Sequence, residues 1–196
     1  MVIKVEERIE EIIKRTKGVK NSSTLIYDAG FIKLYKENYT LPDGRNIDKL
    51  RVSKNSGKDA CVVITRTVDD KYLMVFQNRV DNIVSCEFPS GYMEPGENAC
   101  VSALRELEEE TGYVGESALE IDSFISSIGT ENSVIHLIYV TGAKKQKNQE
   151  LDEDEFINYE EFTFEELTYL FENNIIRSGG NRLAYYHLKE IIDNEE

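Results

Sequence analysis

The chain has 196 residues and a mass of 22.5 kDa, which suits one domain with additions or a domain and a small appendage; its 40% hydrophobic content suffices for a substantial core. A formal net charge of −14 argues against a general nucleic-acid surface, because such binding needs cationic side chains that neutralise phosphates, although a metal-bridged diphosphate stays admissible. The charged amino terminus lacks a signal-peptide stretch and no run approaches the roughly 18 apolar residues of a membrane span, so no membrane partner is expected and cytoplasm is the default location.

In chain order, residues 2–17 put Val5, Ile9, Ile12 and Ile13 at helical spacing and predict an amphipathic helix ending at Gly18. Glutamates come early in it and Lys14, Arg15 and Lys17 late, which complements the helix dipole. It reads as a helix docked on the domain. Residues 24–54 are rich in aromatic and β-branched residues, with PDGR at 42–45 turning the chain into another strand, so a small antiparallel unit is expected. Residues 55–59 read as a loop in which Lys58 is solvated. CVVIT at 61–65 and YLMVFQ at 72–77 predict a hairpin across VDDK. The resulting division is a helix over 1–20, a strand unit over 24–54 and a main domain over 58–196.

Residues 91–113 organise the rest. A turn-rich loop with Pro95 and two glycines leads into a helix predicted over 98–111, capped by Asn98 and stopped by Gly112. Cys100, Ala103, Leu104, Leu107 and Thr111 share the face that can pack on a sheet. Glu106, Glu109 and Glu110 project from the adjoining sector, three and four residues apart, where their carboxylates can converge. Like charges on one turn repel; a hard divalent cation with oxygen ligands turns that repulsion into binding.

The spacing G-x5-E-x7-R-E-U-x-E-E-x-G-U, with U a bulky aliphatic residue, is filled by Gly91, Glu97, Arg105, Glu106, Leu107, Glu109, Glu110 and Gly112. Only Tyr113, an aromatic at the last U, departs from it. On these residues the chain resembles the Nudix hydrolases. The resemblance implies an α/β fold, an α/β/α sandwich around a mixed sheet, here preceded by the N-terminal helix and the small strand unit. It also implies Mg²⁺ or Mn²⁺ held by Glu106, Glu109 and Glu110, with Glu97 and Arg105 pairing to fix the loop against the helix.

Beyond the box, residues 119–128 and 134–140 read as strands, the second so apolar that it should be central. His136 within it reads as structural, not as a ligand. Residues 142–155 are polar and aperiodic and read as a loop ending in Glu153-Asp154-Glu155, followed by the strand FINYEEF. Thr163 and Glu166 form a capping box for a helix on Phe164, Leu167, Leu170 and Phe171; a last helix uses Leu183, Leu188, Ile191 and Ile192. Cys61, Cys86 and Cys100 include no C-x-x-C pair and read as reduced.

Several flanking features are similar to the ADP-ribose and ADP-sugar pyrophosphatase branch. Gln77-Asn78-Arg79 gives its Q-x-R element and Glu87–Gly91 its E-x-P-x-G element. By that resemblance Arg79 and Glu87 contact substrate, and Ser90 offers its backbone carbonyl to metal. Glu153 is the candidate general base, with Glu109 its competitor, and Glu155 an extra metal contact, while Asp152 and Asp154 compete for those two roles. The 24–54 unit resembles one used for homodimerisation. The implied substrate is a small nucleoside diphosphate derivative, most simply ADP-ribose or an ADP-sugar, cleaved to AMP and a sugar phosphate. Ile128-Gly129-Thr130 stands where ADP-ribose-specific members carry a proline. The alternatives are another Nudix substrate (NADH, a dinucleoside polyphosphate, a nucleoside triphosphate) or a non-catalytic nucleotide sensor.

Overall fold

The structure, a computed structural model, describes residues 2–153 and 155–195 and separates into two compact units. The first runs to Gly57 and includes Ser127–Asn132; the second comprises Lys58–Ser126 and the chain from Ser133. Asp154 lies outside the described residues.

In the first unit, helix α1 (Val2–Thr16) precedes an antiparallel meander of β1 (Val19–Asp28), β2 (Ile32–Thr40) and β3 (Asn46–Lys54). The stripe Val5, Ile9, Ile12 and Ile13 is exposed. Strand β1 starts at Val19 and not at residue 24. Its polar opening pairs in the ladder all the same, and the Asn21 amide donates to Asn38 (2.8 Å) and Thr40 (2.9 Å). The turn at 42–45 closes as expected, with Leu41 N–H on Arg45 O (2.8 Å) and Gly44 at φ 84°. Glu37 is buried in this sheet and accepts from Arg51 (2.8 Å), Tyr39 (2.6 Å), Lys20 (3.2 Å) and Ser23 (3.1 Å). Burial alone would raise its pKa; these four donors outweigh that and hold it at about 2.

The second unit is built on one mixed sheet. Its path is β11 (Ile157–Phe162), β5 (Tyr72–Asn78), β4 (Ala60–Thr67), β10 (Ile135–Lys145) and β8 (Tyr113–Val114). Strands β6 (Val84–Glu87), β7 (Ser90–Tyr92) and β9 (Ser117–Phe124) pair with β5, β4 and β10. Only β4 and β10 run parallel; the other pairs are antiparallel. Because side chains alternate along a strand, the sheet has two apolar faces. Val62, Ile64, Met74, Leu137 and Tyr139 pack under α3 (Phe164–Glu172) and α4 (Gly179–Glu195). Cys61, Val63, Leu73, Ile138 and Val140 pack under α2 (Ala99–Thr111). The result is the expected α/β/α sandwich, with β10 bonded on both sides. Burial pushes the thiols of Cys61 and Cys86 up to about 11 and about 12, so both are inert. Among the described residues no helix is long and apolar enough to cross a membrane.

Two boundaries differ from the sequence reading. β10 continues through Lys145, four residues into the segment read as loop, because Lys144 and Lys145 pair with β8 and Ala143 is fully buried. β9 stops at Phe124; beyond it Thr130 and Glu131 N–H groups both bond to Ser127 O at 2.8 Å in a turn.

Candidate active site

Helix α2 begins where Asn98 Oδ1 accepts Val101 N–H (2.9 Å) and ends where Gly112, at φ 70°, donates to Glu108 O (2.7 Å). The cap fixes the phase of the helix, and that phase aims Arg105 into a cluster of carboxylates. Its Nε and Nη2 meet Glu97 Oε1 (3.1 Å) and Oε2 (3.0 Å) as a fork. Its Nη1 reaches Glu106 Oε1 (2.8 Å) and Glu109 Oε2 (2.9 Å), and Nη2 also reaches Tyr92 O and Ser102 Oγ. Glu97 accepts the Glu94 N–H as well (2.9 Å), so this carboxylate, together with the Tyr92 carbonyl on Arg105, binds the 91–98 loop to the helix. Arg105 holds the Glu97 carboxyl below its ordinary range.

Glu106 and Glu110 are different. Burial raises the Glu106 pKa, offset by Arg105 and reinforced by Glu109 and Glu155. Glu110 is only 3% exposed, and its pKa stands well above 4.5 through burial, with Glu106 and Glu155 adding and Arg79 opposing. Glu110 thus lies on the packed side of α2, not beside it as the helical pattern suggested, while Cys100 and Leu104 are only half-buried. Its Oε2 accepts the Ser90 N–H at 3.1 Å. At Gly91 a Cβ would overlap the Glu106 carboxylate, so the residue type there is dictated by the glutamate it faces.

Arg79 Nη2 pairs with Glu87 Oε2 at 2.5 Å, and its charge reaches Glu110. Glu155 turns back on the loop, its N–H on Asp152 O (3.0 Å) and its carboxylate accepting Asp152 N–H (3.3 Å), and its charge reaches both Glu106 and Glu110. Glu153 is exposed. Of the predicted residues, Arg79 just after β5 pairs with Glu87 at the end of β6, Ser90 of β7 bonds to Glu110, and Glu97, Glu106 and Glu109 meet at Arg105. Glu155 acts on Glu106 and Glu110 through its charge, whereas no hydrogen bond or ion pair among the described residues ties Glu153 to this set.

Three further residues hold these elements. Gln149 donates to two main-chain carbonyls, Glu110 O (2.5 Å) and Ile157 O (3.0 Å). Buried Ser102 bridges Arg105 and Cys61. Buried Asn181 at the start of α4 accepts Phe88 N–H (2.7 Å), which fixes the segment just before Ser90. No spacing in the sequence marks them, since each acts through a main-chain or long-range contact.

Could the carboxylates hold a cation? The donor chemistry fits: oxygen-only, ranging from buried at Glu110 to exposed at Glu155, and mutually repulsive until neutralised. Among the described residues, however, no three His, Cys, Asp or Glu side chains are drawn into a coordinating group; Glu106 and Glu109 turn to Arg105 instead.

Residues 56–179 match the family model of the NUDIX domain. The chain belongs to the Nudix family. It is 38% identical over 156 residues to the methanol dehydrogenase activator of Bacillus methanolicus, covering 78% of this chain and 83% of that protein. It is 33% identical over 172 residues to the ADP-ribose pyrophosphatase of Bacillus subtilis (strain 168), covering 85% and 91%. Among solved structures, that of an ADP compounds hydrolase superposes with a TM-score of 0.81 over 91% of this chain and 96% of that one. At 17% identity that likeness speaks for the Nudix fold alone.

Proposed function

We propose that this Nudix domain hydrolyses the diphosphate of a nucleoside diphosphate derivative, ADP-ribose or an ADP-sugar, releasing AMP and a sugar phosphate. The observation that carries the reading is that Arg105 holds Glu97, Glu106 and Glu109 together at the box helix, with the buried Glu110 one turn on feeling the charges of Glu106, Glu155 and Arg79. The Bacillus subtilis relative supports the substrate class.

Glu106, Glu109, Glu110, Glu155 and the Ser90 carbonyl would hold Mg²⁺ or Mn²⁺. When bound, the cation neutralises diphosphate charge and lowers the pKa of water. Arg79 donates its planar guanidinium to diphosphate oxygens, and Glu87 keeps that guanidinium in place. Arg105 and Glu97 hold the box loop on the helix. Glu153, or Glu109 if the loop stands away, accepts the proton of the attacking water; its oxygen bonds to one phosphorus as the anhydride P–O bond breaks and the other phosphate leaves with the electron pair.

Strand β1 is an edge with Val19, Leu25, Ile26 and Tyr27 exposed, and a second copy covering it would make a homodimer. Light scattering that shows only a 22.5 kDa species at micromolar protein removes this assignment. Three free thiols suit a reducing compartment, here the cytoplasm.

A panel of nucleoside diphosphate derivatives with Mg²⁺ or Mn²⁺, resolved by product chromatography, tests the activity. AMP and a sugar phosphate are expected; intact substrates throughout overturn it. A second reading, activation of a partner dehydrogenase, has the Bacillus methanolicus relative in its favour and is tested by adding the chain to a methanol dehydrogenase assay.

A further inference from the structure

Beyond Glu108 O, which takes Gly112 N–H, the carbonyls at the end of α2 are taken by the last residue of β10 and the segment that follows it. Glu150 N–H bonds to Glu109 O (2.9 Å), Gln149 Nε2 to Glu110 O (2.5 Å) and Lys145 Nζ to Thr111 O (2.5 Å). Gln146 and Lys147 N–H groups share Gly112 O at 3.0 and 3.1 Å. All but one of these bonds anchor the segment to the helix alone. Gln149 is the exception. Its amide carries two N–H donors, and the second reaches Ile157 O at 3.0 Å, the first residue of β11. One side chain thereby ties the helix that carries Glu106, Glu109 and Glu110 to both ends of the loop that carries Glu153 and Glu155.

We propose that Gln149 is a positioning residue for the acidic loop: its bridge between the Glu110 and Ile157 carbonyls sets how far Glu155 stands from the carboxylates of α2. The proposal rests on the metal-dependent reading of the site. Glu155 lies two residues before the Ile157 anchor, and its charge is felt at both Glu106 and Glu110. Without the bridge the anchors left to the described residues between Gln149 and Ile157 are Glu150 N–H at one end and the β11 ladder at the other, beside the turn bonds between Asp152 and Glu155. The two released carbonyls then take water and the loop swings outward. Gln149 touches neither the substrate nor a metal in this scheme; it acts through Glu155, and partners of that kind typically shift metal affinity by about 10- to 100-fold.

The test uses the full chain and four variants: Gln149→Met, which keeps shape but has no donor; Gln149→Lys, whose ammonium can reach both carbonyls; Glu155→Gln; and the Gln149→Met/Glu155→Gln double variant. Mn²⁺ binding is titrated by calorimetry without substrate, and amide hydrogen exchange of residues 150–157 is followed in metal-free protein. Gln149→Met should weaken Mn²⁺ binding about tenfold and speed loop exchange at an unchanged thermal midpoint; Gln149→Lys should restore both. In the Glu155→Gln background the same change should add nothing to the loss of affinity. Full additivity in the double variant, or Gln149→Met with wild-type affinity and exchange, overturns the positioning role while leaving the site intact. Wild-type protein that neither binds Mn²⁺ nor cleaves any diphosphate overturns the reading of the site itself, and this role with it.

Discussion

Gly91 and the Glu106 carboxylate are in such close apposition that a single methyl group at position 91 would occupy the carboxylate's place. The obstructed atoms are the end of a flexible side chain, so Gly91→Ala displaces Glu106 and leaves the backbone alone. The variant should melt close to wild type and lose about 100-fold in rate, the scale on which ångström misplacements act at an active site. A steady-state assay beside a thermal melt checks both, and an alanine variant at full speed would mean that the seat of Glu106 is irrelevant to turnover.

Glu106→Gln and Glu110→Gln should each lower turnover by at least about two orders of magnitude, since each removes a charge and an oxygen donor from the cluster. Their stabilities should differ. The raised pKa of Glu110 means that protonation favours the metal-free fold: the contribution is whole below 4.5 and is lost as pH rises through the folded value. The amide that replaces the carboxylate in Glu110→Gln has no charge to bury and still accepts the Ser90 N–H. Urea unfolding at neutral pH without metal should therefore find Glu110→Gln at least as stable as wild type. A clear loss of stability contradicts the burial argument.

Glu153→Gln should slow the reaction sharply, within the roughly 10²–10⁴-fold typical of a lost general base, at nearly unchanged metal affinity. Glu155→Gln should instead raise the metal concentration needed for half-maximal rate, because its charge reaches Glu106 and Glu110. Rates across pH and metal concentration, with Glu109→Gln in parallel, separate the two roles. Wild-type behaviour of Glu153→Gln moves the base to Glu109.

The small sheet carries its own pH dependence. Glu37 is held at about 2, against 4.5 when unfolded, so its stabilising share is complete above 4.5 and disappears as pH falls through 2. Glu37→Gln should cost about 2 kcal/mol at neutral pH, the value of hydrogen bonds to a charged group. The gap between the two proteins should close in acid. Parallel unfolding curves with a constant gap from neutral to acid pH would show that Glu37 is not the titrating group.

What the sequence revealed was whatever depends on local period. The α2 helix, its Asn98 and Gly112 ends, the Thr163–Glu166 box and the turn at 42–45 are each set by neighbours within five residues. The Arg105–Glu97 fork, eight residues apart, was expected from the resemblance to the Nudix box and not from local period. Hidden were features set by partners far along the chain. The burial of Glu110 depends on β7, the extension of β10 to Lys145 on β8, and the role of Gln149 on Ile157 and the helix end. Hydropathy could not find the start of β1 either, because Asn21 and its neighbours are ordered by side-chain amide bonds and not by burial.

The way α2 ends divides the polar stretch after β10 into two parts with unequal freedom. Lys145, Gln146, Lys147, Gln149 and Glu150 bond to four successive carbonyls at the helix end, so a residue gained or lost among them breaks the cap and shifts the contacts that follow. The described residues between Glu150 and Ile157 follow one fixed point and precede another, and a loop so held can lengthen at a cost that grows only with the logarithm of its size. Insertion in the second part leaves the helix and its carboxylates untouched but moves Glu153 and Glu155, so a loop exchange there that keeps those two glutamates in place is the natural way to graft new specificity.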